Sequence, residues 1–269
     1  VDVLNGPDGA LYVIDMYRGL IQDEHYLTEE LREQVLDRGL DTPIGLGRIW
    51  RVRYDGDDRA GSATVLGGAD AQTLVAALKH DNGWVRDTAQ RLLVGMKPKD
   101  IRPIAELARS DHRLGAMHAL WTLEGLARLD RATVLAALAS EDPAVQIQAL
   151  RAGAGQLGSE DLVALSQHSV SERVATQLGF AMSPHSARVD VHQAAINLLH
   201  SHPQSVYLQS ALVRAVQGNE VDFLPRLLAS GAYSEQGQLQ ANLAGQLAVS
   251  AYRTLRPDLR SSEIGRAHV

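Results

Sequence analysis

Asp81-Asn82-Gly83-Trp84-Val85-Arg86-Asp87-Thr88-Ala89-Gln90-Arg91-Leu92-Leu93 is the stretch that decides how most of this chain folds. Its apolar residues recur every three and four positions, the period of one helix face. The pattern then returns. Ala89, Ala119 and Ala149 are 30 residues apart, and Gly179 falls on the next step. Val85, Gly115, Val145 and Ala175 keep the same step, as do Gln90, Leu120, Leu150 and Phe180. Asp81, Asp111 and Asp142 lie just ahead, placed to cap a helix. A small residue at each recurrence lets neighbouring helices approach closely.

Working outward, short amphipathic helices are predicted in pairs: 71–80 with 83–95, 100–109 with 112–128, 131–139 with 143–156, 159–167 with 171–182, 190–200 with 204–217, and 220–229 with 236–255. No single pair can bury its apolar face, so the pairs must stack on a shared core, as repeat proteins do. Asp-x-x-x-Val-Arg-x-x-Ala over 81–89 resembles the second helix of a HEAT repeat. The expected fold is therefore mostly α. Residues 71–255 form a HEAT-like solenoid of about six pairs, whose face is suited to a protein partner.

The first 60 residues read differently. They carry 7 basic and 13 acidic residues, whereas the remaining chain carries 19 of each. Asn5-Gly6-Pro7-Asp8-Gly9 is turn chemistry, since proline presets φ and Gly9 accepts positive φ. Leu11-Tyr12-Val13-Ile14 follows as a strand expected to be buried on both faces. Gly47 to Tyr54 is a second strand rich in β-formers. A helix from Thr28 to Leu36 lies between them, with Thr28 as N-cap and Gly39 as its stop. Two strands and a helix cannot bury a core alone. Residues 1–56 therefore read as the last strands of a larger β domain, joined by a Gly- and Asp-rich linker at 57–70. The chain opens on Val1, which fits a piece cut from something longer. Ile264 to Val269 has the form of a translated sequencing adapter, so 256–269 is read as a tail.

Composition excludes several functions. The net charge of −6 argues against a nucleic-acid partner held by a basic face. No run of 18 apolar residues is present to span a membrane. With no cysteine, the chain cannot form disulfides, thiolate metal sites or covalent haem attachments of its own.

Few residues offer chemistry. His192 and His200 are eight apart on a predicted helix, too far for one ion, and with His202 they read as surface histidines. His118 and Trp121 read as solenoid packing, with Glu124 free to pair with Arg91 or Arg128. Gly45-Leu46-Gly47 lacks a third glycine and enters a strand, so it is not a dinucleotide loop. Asp15-Met16-Tyr17-Arg18 leaves a strand end, where β-propellers bind ligands. Asp15, Tyr17 and Arg18 are the candidate substrate or cofactor contacts, Arg18 as anion partner and Asp15 as acceptor or base. The structural alternative is an Asp–Arg pair that fixes the loop. No residue is identified as catalytic, and no metal site is expected.

Several strings together resemble one family. They are Asp2 to Val13, Asp15-Met16-Tyr17-Arg18-Gly19, Leu31-Arg32-Glu33-Gln34, Arg38-Gly39-Leu40-Asp41, Gly45 to Val52, Asn82 to Leu93, and Ala119 to Leu126. Their order resembles the bacterial, planctomycete-type membrane-bound dehydrogenases. In that family a glucose/sorbosone-dehydrogenase-like β-propeller precedes HEAT-like repeats and a c-type cytochrome domain. The resemblance implies that residues 1–56 close a propeller and that the parent is an extracytoplasmic, periplasmic oxidoreductase. That parent would oxidise a sugar or alcohol with pyrroloquinoline quinone and pass electrons to haem c. No cofactor is expected within this stretch, which would not turn over substrate alone. The other reading is a propeller–HEAT scaffold that binds protein or carbohydrate without redox chemistry.

Overall fold

Asp2–Asn5 (β1) and Leu11–Asp15 (β2) pair antiparallel, and Arg48–Val52 (β3) adds to the other edge of β2. The structure is a computed structural model, and it describes residues 2–21, 23–42, 44–54, 56, 64–231 and 238–255. The adapter-like tail and half of the 57–70 linker, residues 57–63, lie outside the described residues. The chain divides into two compact units, 1–98 and 99–269.

In the first unit the β1–β2 turn forms as its residues dictate. Gly9 adopts φ +78°, its N–H reaches Gly6 O at 3.1 Å, and Gly6 N reaches Ala10 O at 2.9 Å. Asp8 takes the Ala10 N–H at 3.1 Å and Arg51 Nε at 2.7 Å, so the turn is tied to β3. The Arg51 guanidinium holds the Asp8 carboxyl below the usual range. β1 is a strand that the sequence reading left out. β2 is also not buried on both faces: Leu11 is exposed and Tyr12 to Asp15 are half-buried. Val3, Val13 and Trp50 align on one face, and Ile14 and Ile49 on the other. Val3, Trp50 and Ile49 are each more than half exposed. Both faces of this small sheet therefore present apolar side chains.

Glu29–Asp37 (α1) starts on Thr28, whose hydroxyl accepts from Leu31 N at 3.3 Å. It ends in a Schellman turn: Leu40 N bonds Val35 O at 2.8 Å and Gly39 N bonds Leu36 O at 3.0 Å, with Gly39 at φ +61°. The first helix pair, Ala71–Ala77 (α2) and Gly83–Met96 (α3), belongs to the same unit as the sheet. Asn82 Nδ2 donates to Gly6 O at 2.8 Å and Thr64 N to Pro7 O at 3.4 Å, joining this pair to the hairpin turn.

The second unit is built from five helix pairs. They are Arg102–Ala108 (α4) with Arg113–Gly125 (α5), Arg131–Leu138 (α6) with Pro143–Ala152 (α7), Ser159–Ser166 (α8) with Glu172–Met182 (α9), Val189–Ser201 (α10) with Val206–Ala215 (α11), and Glu220–Ala229 (α12) with Gln238–Leu255 (α13). The second helices touch in succession, α5 to α7 to α9 to α11 to α13, and each packs on its own first helix. That is the layering of a solenoid, and the fold is mostly α, as the periodicity implied. Ala119, Ala149, Ala175 and Gly179 are all buried on the shared seam. A methyl group on Gly179 would sit 3.2 Å from Ala211 Cβ, so the bare backbone there brings α9 close to α11.

The capping row differs from the one expected. Asn82, His112 and Asp142 cap α3, α5 and α7, accepting from Trp84 N, Gly115 N and Ala144 N. These three are spaced by 30 residues, whereas Asp81 and Asp111 stand one position too early. A cap must directly precede the first helical residue, because its side chain reaches only two or three residues ahead.

α5 has no glycine at the left-handed position that follows its last turn. Arg128 N bonds Leu123 O and Ala127 N bonds Glu124 O, both at 2.8 Å, which places Ala127 at φ +55°. A Cβ in that conformation is strained by about 1–2 kcal/mol, and Ala127 is exposed. Ala127→Gly is expected to raise stability by about 0.5–1 kcal/mol, the strain relief being partly offset by unfolded-chain entropy. A shift of the urea midpoint downward would refute it.

Polar ties also recur at the repeat step. Arg131, at the start of α6, donates Nε to Asp161 Oδ2 at 2.9 Å and its terminal nitrogen to Oδ1, forming a two-pronged pair 30 residues apart. Asp161 also accepts Gly158 N at 3.0 Å, closing the start of α8. Arg131, then the Gly158 N–H, hold this carboxyl below the usual range. The unfolded carboxyl titrates near pH 3.9, within about a unit. The stabilisation is therefore complete above that pH and is lost as the pH falls through the lower folded value. The stability gap between wild type and Asp161→Asn should accordingly be constant from pH 5 to 8, by the same linkage, and should close on acidification below about pH 4. A gap that widens in acid would contradict this assignment.

Candidate functional site

Asp15 ends β2 directly opposite Arg48 of β3. Its Oδ1 accepts Tyr17 N at 2.8 Å and its Oδ2 accepts Trp50 Nε1 at 3.1 Å, with Arg48 Nε 3.8 Å away. The indole N–H, then the Tyr17 amide, hold the carboxyl below the usual range. A carboxylate that is already doubly hydrogen-bonded and favoured in its charged form is a poor proton acceptor. Its role is to brace the turn that leaves the strand. An Asp–Arg arrangement does fix this loop, but the arginine is Arg48, not Arg18.

Tyr17 pays a backbone cost in this turn, at φ +44°. Its ring lies under the Arg48 guanidinium, 3.9 Å from the ring centre, and the same guanidinium stands 5.3 Å from the Trp50 ring. Such contacts are worth about 0.5–1 kcal/mol each at exposed sites. Arg48 Nε is buried without a hydrogen bond, so the guanidinium is held by the aromatic rings and by Asp15 at a distance. Sequence reasoning missed Arg48 and Trp50. The signal that could have found them was strand register, since pairing Val13 with Trp50 brings Arg48 to Asp15.

The brace shapes two adjoining clefts that share Arg18 and Ile21. One, of about 440 Å³, is walled by Asp15 to Gly19 and by Leu40 and Thr42. The other, of about 730 Å³, runs past Arg18, Asp23, His25, Val35, Leu36 and Asp41. The walls meet at Gly19, where a Cβ would lie 2.9 Å from Leu40 Cα and O. Asp23 accepts both the His25 amide, at 3.0 Å, and its ring Nδ1, at 2.9 Å. Those two bonds hold the Asp23 carboxyl below the usual range, the amide foremost. Arg18 and Asp41 are exposed, and neither has a hydrogen-bond or ion-pair partner among the described residues. Of the three sequence candidates, Asp15 and Tyr17 build the turn and Arg18 faces both clefts.

His192 is buried, not on the surface as expected: its Nε2 lies 2.7 Å from Ser186 O and its ring meets Phe223 edge-on. His202 Nε2 lies 3.0 Å from Val170 O, and His200 is exposed. Among the described residues no group of three His, Asp or Glu side chains could hold a metal ion. Trp121 donates to Gln148 Oε1 at 2.9 Å instead of to His118. Glu124 is exposed and makes no ion pair with Arg128 among the described residues. No described helix is long and apolar enough to cross a membrane.

Residues 1–56 match DUF7133, a domain of unknown function. No curated protein matches the chain. An engineered protein of known crystal structure is similar over 67% of this chain and 98% of its own, with 18% identity and a TM-score of 0.38.

Covalent haem needs thiols, and the chain has none. The two clefts are lined by Arg18 and Arg32 and by the carboxylates of Asp15, Asp23 and Asp41.

Proposed function

We propose that this chain is the propeller end and helical spacer of an extracytoplasmic sugar or alcohol dehydrogenase of the pyrroloquinoline-quinone type, whose electrons pass to a c-type haem. Neither cofactor sits on these residues. The supporting observation is the three-stranded sheet, with apolar side chains exposed on both faces and strands in simple meander order. Neighbouring sheets would cover such faces, as successive blades do in a propeller. The order of the strings from Asp2 to Leu126 supplies the chemistry of the proposal, and the HEAT-like pairs supply the spacer between oxidation site and electron acceptor.

The test is to read the gene across both ends of this stretch and express the whole reading frame. The expected product carries further β blades upstream and a Cys-x-x-Cys-His motif downstream, binds haem, and reduces a dye with an aldose only when the quinone is added. A reading frame without a haem motif, or a product without quinone-dependent oxidation, overturns the dehydrogenase. The competing scaffold, with a protein partner on the solenoid face, would then stand.

A further inference from the structure

We infer that the paired clefts anchored by Arg18 bind a sugar acid, a small ligand carrying one carboxylate and several hydroxyls. Arg18 and Asp41 line the same cleft, carry opposite charges, and make no ion pair or hydrogen bond with each other or with any other described residue. Two unmatched groups on one cavity define what a ligand must bring. The guanidinium has five N–H donors and no acceptor, so it calls for a carboxylate, which it can hold in two-pronged fashion. Asp41, ionised, accepts only, so it calls for O–H donors.

This combination excludes the simpler ligands. Arg32 and His25 line this cleft as well as Asp23 and Asp41, so a bare anion such as phosphate would satisfy Arg18 but would bring Asp41 no row of hydroxyl donors. A neutral sugar would satisfy Asp41 but leave the guanidinium without an anion. A hydroxylated carboxylate satisfies both. The apolar wall of Ile21, Val35 and Leu36 suits the C–H face of a sugar ring. Each cleft by itself, about 440 and about 730 Å³, lies in the range of ligand clefts. The anchor is positioned by the brace already described: Asp15 fixes the turn one residue before Arg18 through Tyr17 N, and Gly19 seats it against Leu40.

Binding needs neither quinone nor haem, so its failure and the failure of the dehydrogenase reading are separate results. The experiment is an isothermal titration calorimetry measurement on the product of the whole reading frame with D-glucuronate, and with D-glucose, inorganic phosphate and glycine as comparators. Saturable glucuronate binding is expected, with glucose and phosphate weaker by about tenfold or more. Arg18→Gln should weaken glucuronate binding by about tenfold and Arg18→Lys by less, since lysine keeps the charge and loses the fork. Asp41→Asn should weaken glucuronate binding by a smaller factor. Both side chains are exposed and unpartnered, so far-UV circular dichroism should not change. The inference is overturned by an absence of saturable binding, by glucose, phosphate or glycine matching glucuronate, or by Arg18→Gln binding as well as wild type.

Discussion

Phe223→Ala is expected to destabilise the 99–269 unit by about 3–5 kcal/mol, and Phe223→Leu by less than half as much. Phe223 is the largest of the fully buried side chains and sits on α12. Its ring meets His192 of α10 with centroids 5.4 Å apart and planes at 76°, an edge-to-face contact between first helices of successive pairs. His192 is itself buried, with Nε2 against Ser186 O and Nδ1 without a partner. Alanine would remove the ring and open a void beside the His192 ring. Leucine keeps most of the volume and loses chiefly the aromatic contact. Far-UV circular dichroism in urea measures both. A change below about 1 kcal/mol for Phe223→Ala would mean that α12 does not pack on α10 in solution, since a buried phenylalanine cannot be removed that cheaply.

The solenoid was legible because one physical constraint writes itself into the sequence at every step. Seam positions must be small, so Ala119, Ala149 and Gly179 keep a fixed spacing even where the surface residues between them vary. Predicted and observed helix starts agree to within two residues across the second unit; six of the C-terminal ends fall short by one to four, those of α9, α12 and α13 agree, and α10 runs one residue further. Helix ends are set by local hydrogen bonds, and a strained end such as Ala127 carries no sequence mark because no glycine occupies it. The buried state of His192 was also hidden. A lone histidine among Val191, Ala194 and Ala195 sits on an apolar face, but its polarity argued for the surface. The candidate site was half legible. Arg18 follows from the strand end, but Asp41 faces the same cleft from 23 residues away. Arg48 and Trp50 depend on β-register. None of these three distances is encoded in local spacing.

Ala149→Leu is expected to cost about 2–3 kcal/mol, near the top of the usual range for overpacking, while Ala136→Leu should change stability by no more than about 0.5 kcal/mol. Both are the same chemical change in neighbouring helices. Ala149 is fully buried on α7, the middle of the row in which α5, α7 and α9 touch. Ala136 lies exposed on α6. The crowding around Ala149 is visible one turn further on, where a Cβ at Gly153 would fall 2.5 Å from Val134 Cγ1 of the paired helix. Three extra carbons at Ala149 therefore cannot be accommodated by rotating α7 toward α6. The strain must instead part α7 from α5 or α9, which removes buried area along the whole seam. Intrinsic helix propensity differs little between alanine and leucine, so the contrast between the two variants isolates packing. Equal midpoints for Ala149→Leu and Ala136→Leu would sink the close-packed seam and with it the reason for the 30-residue alanine period.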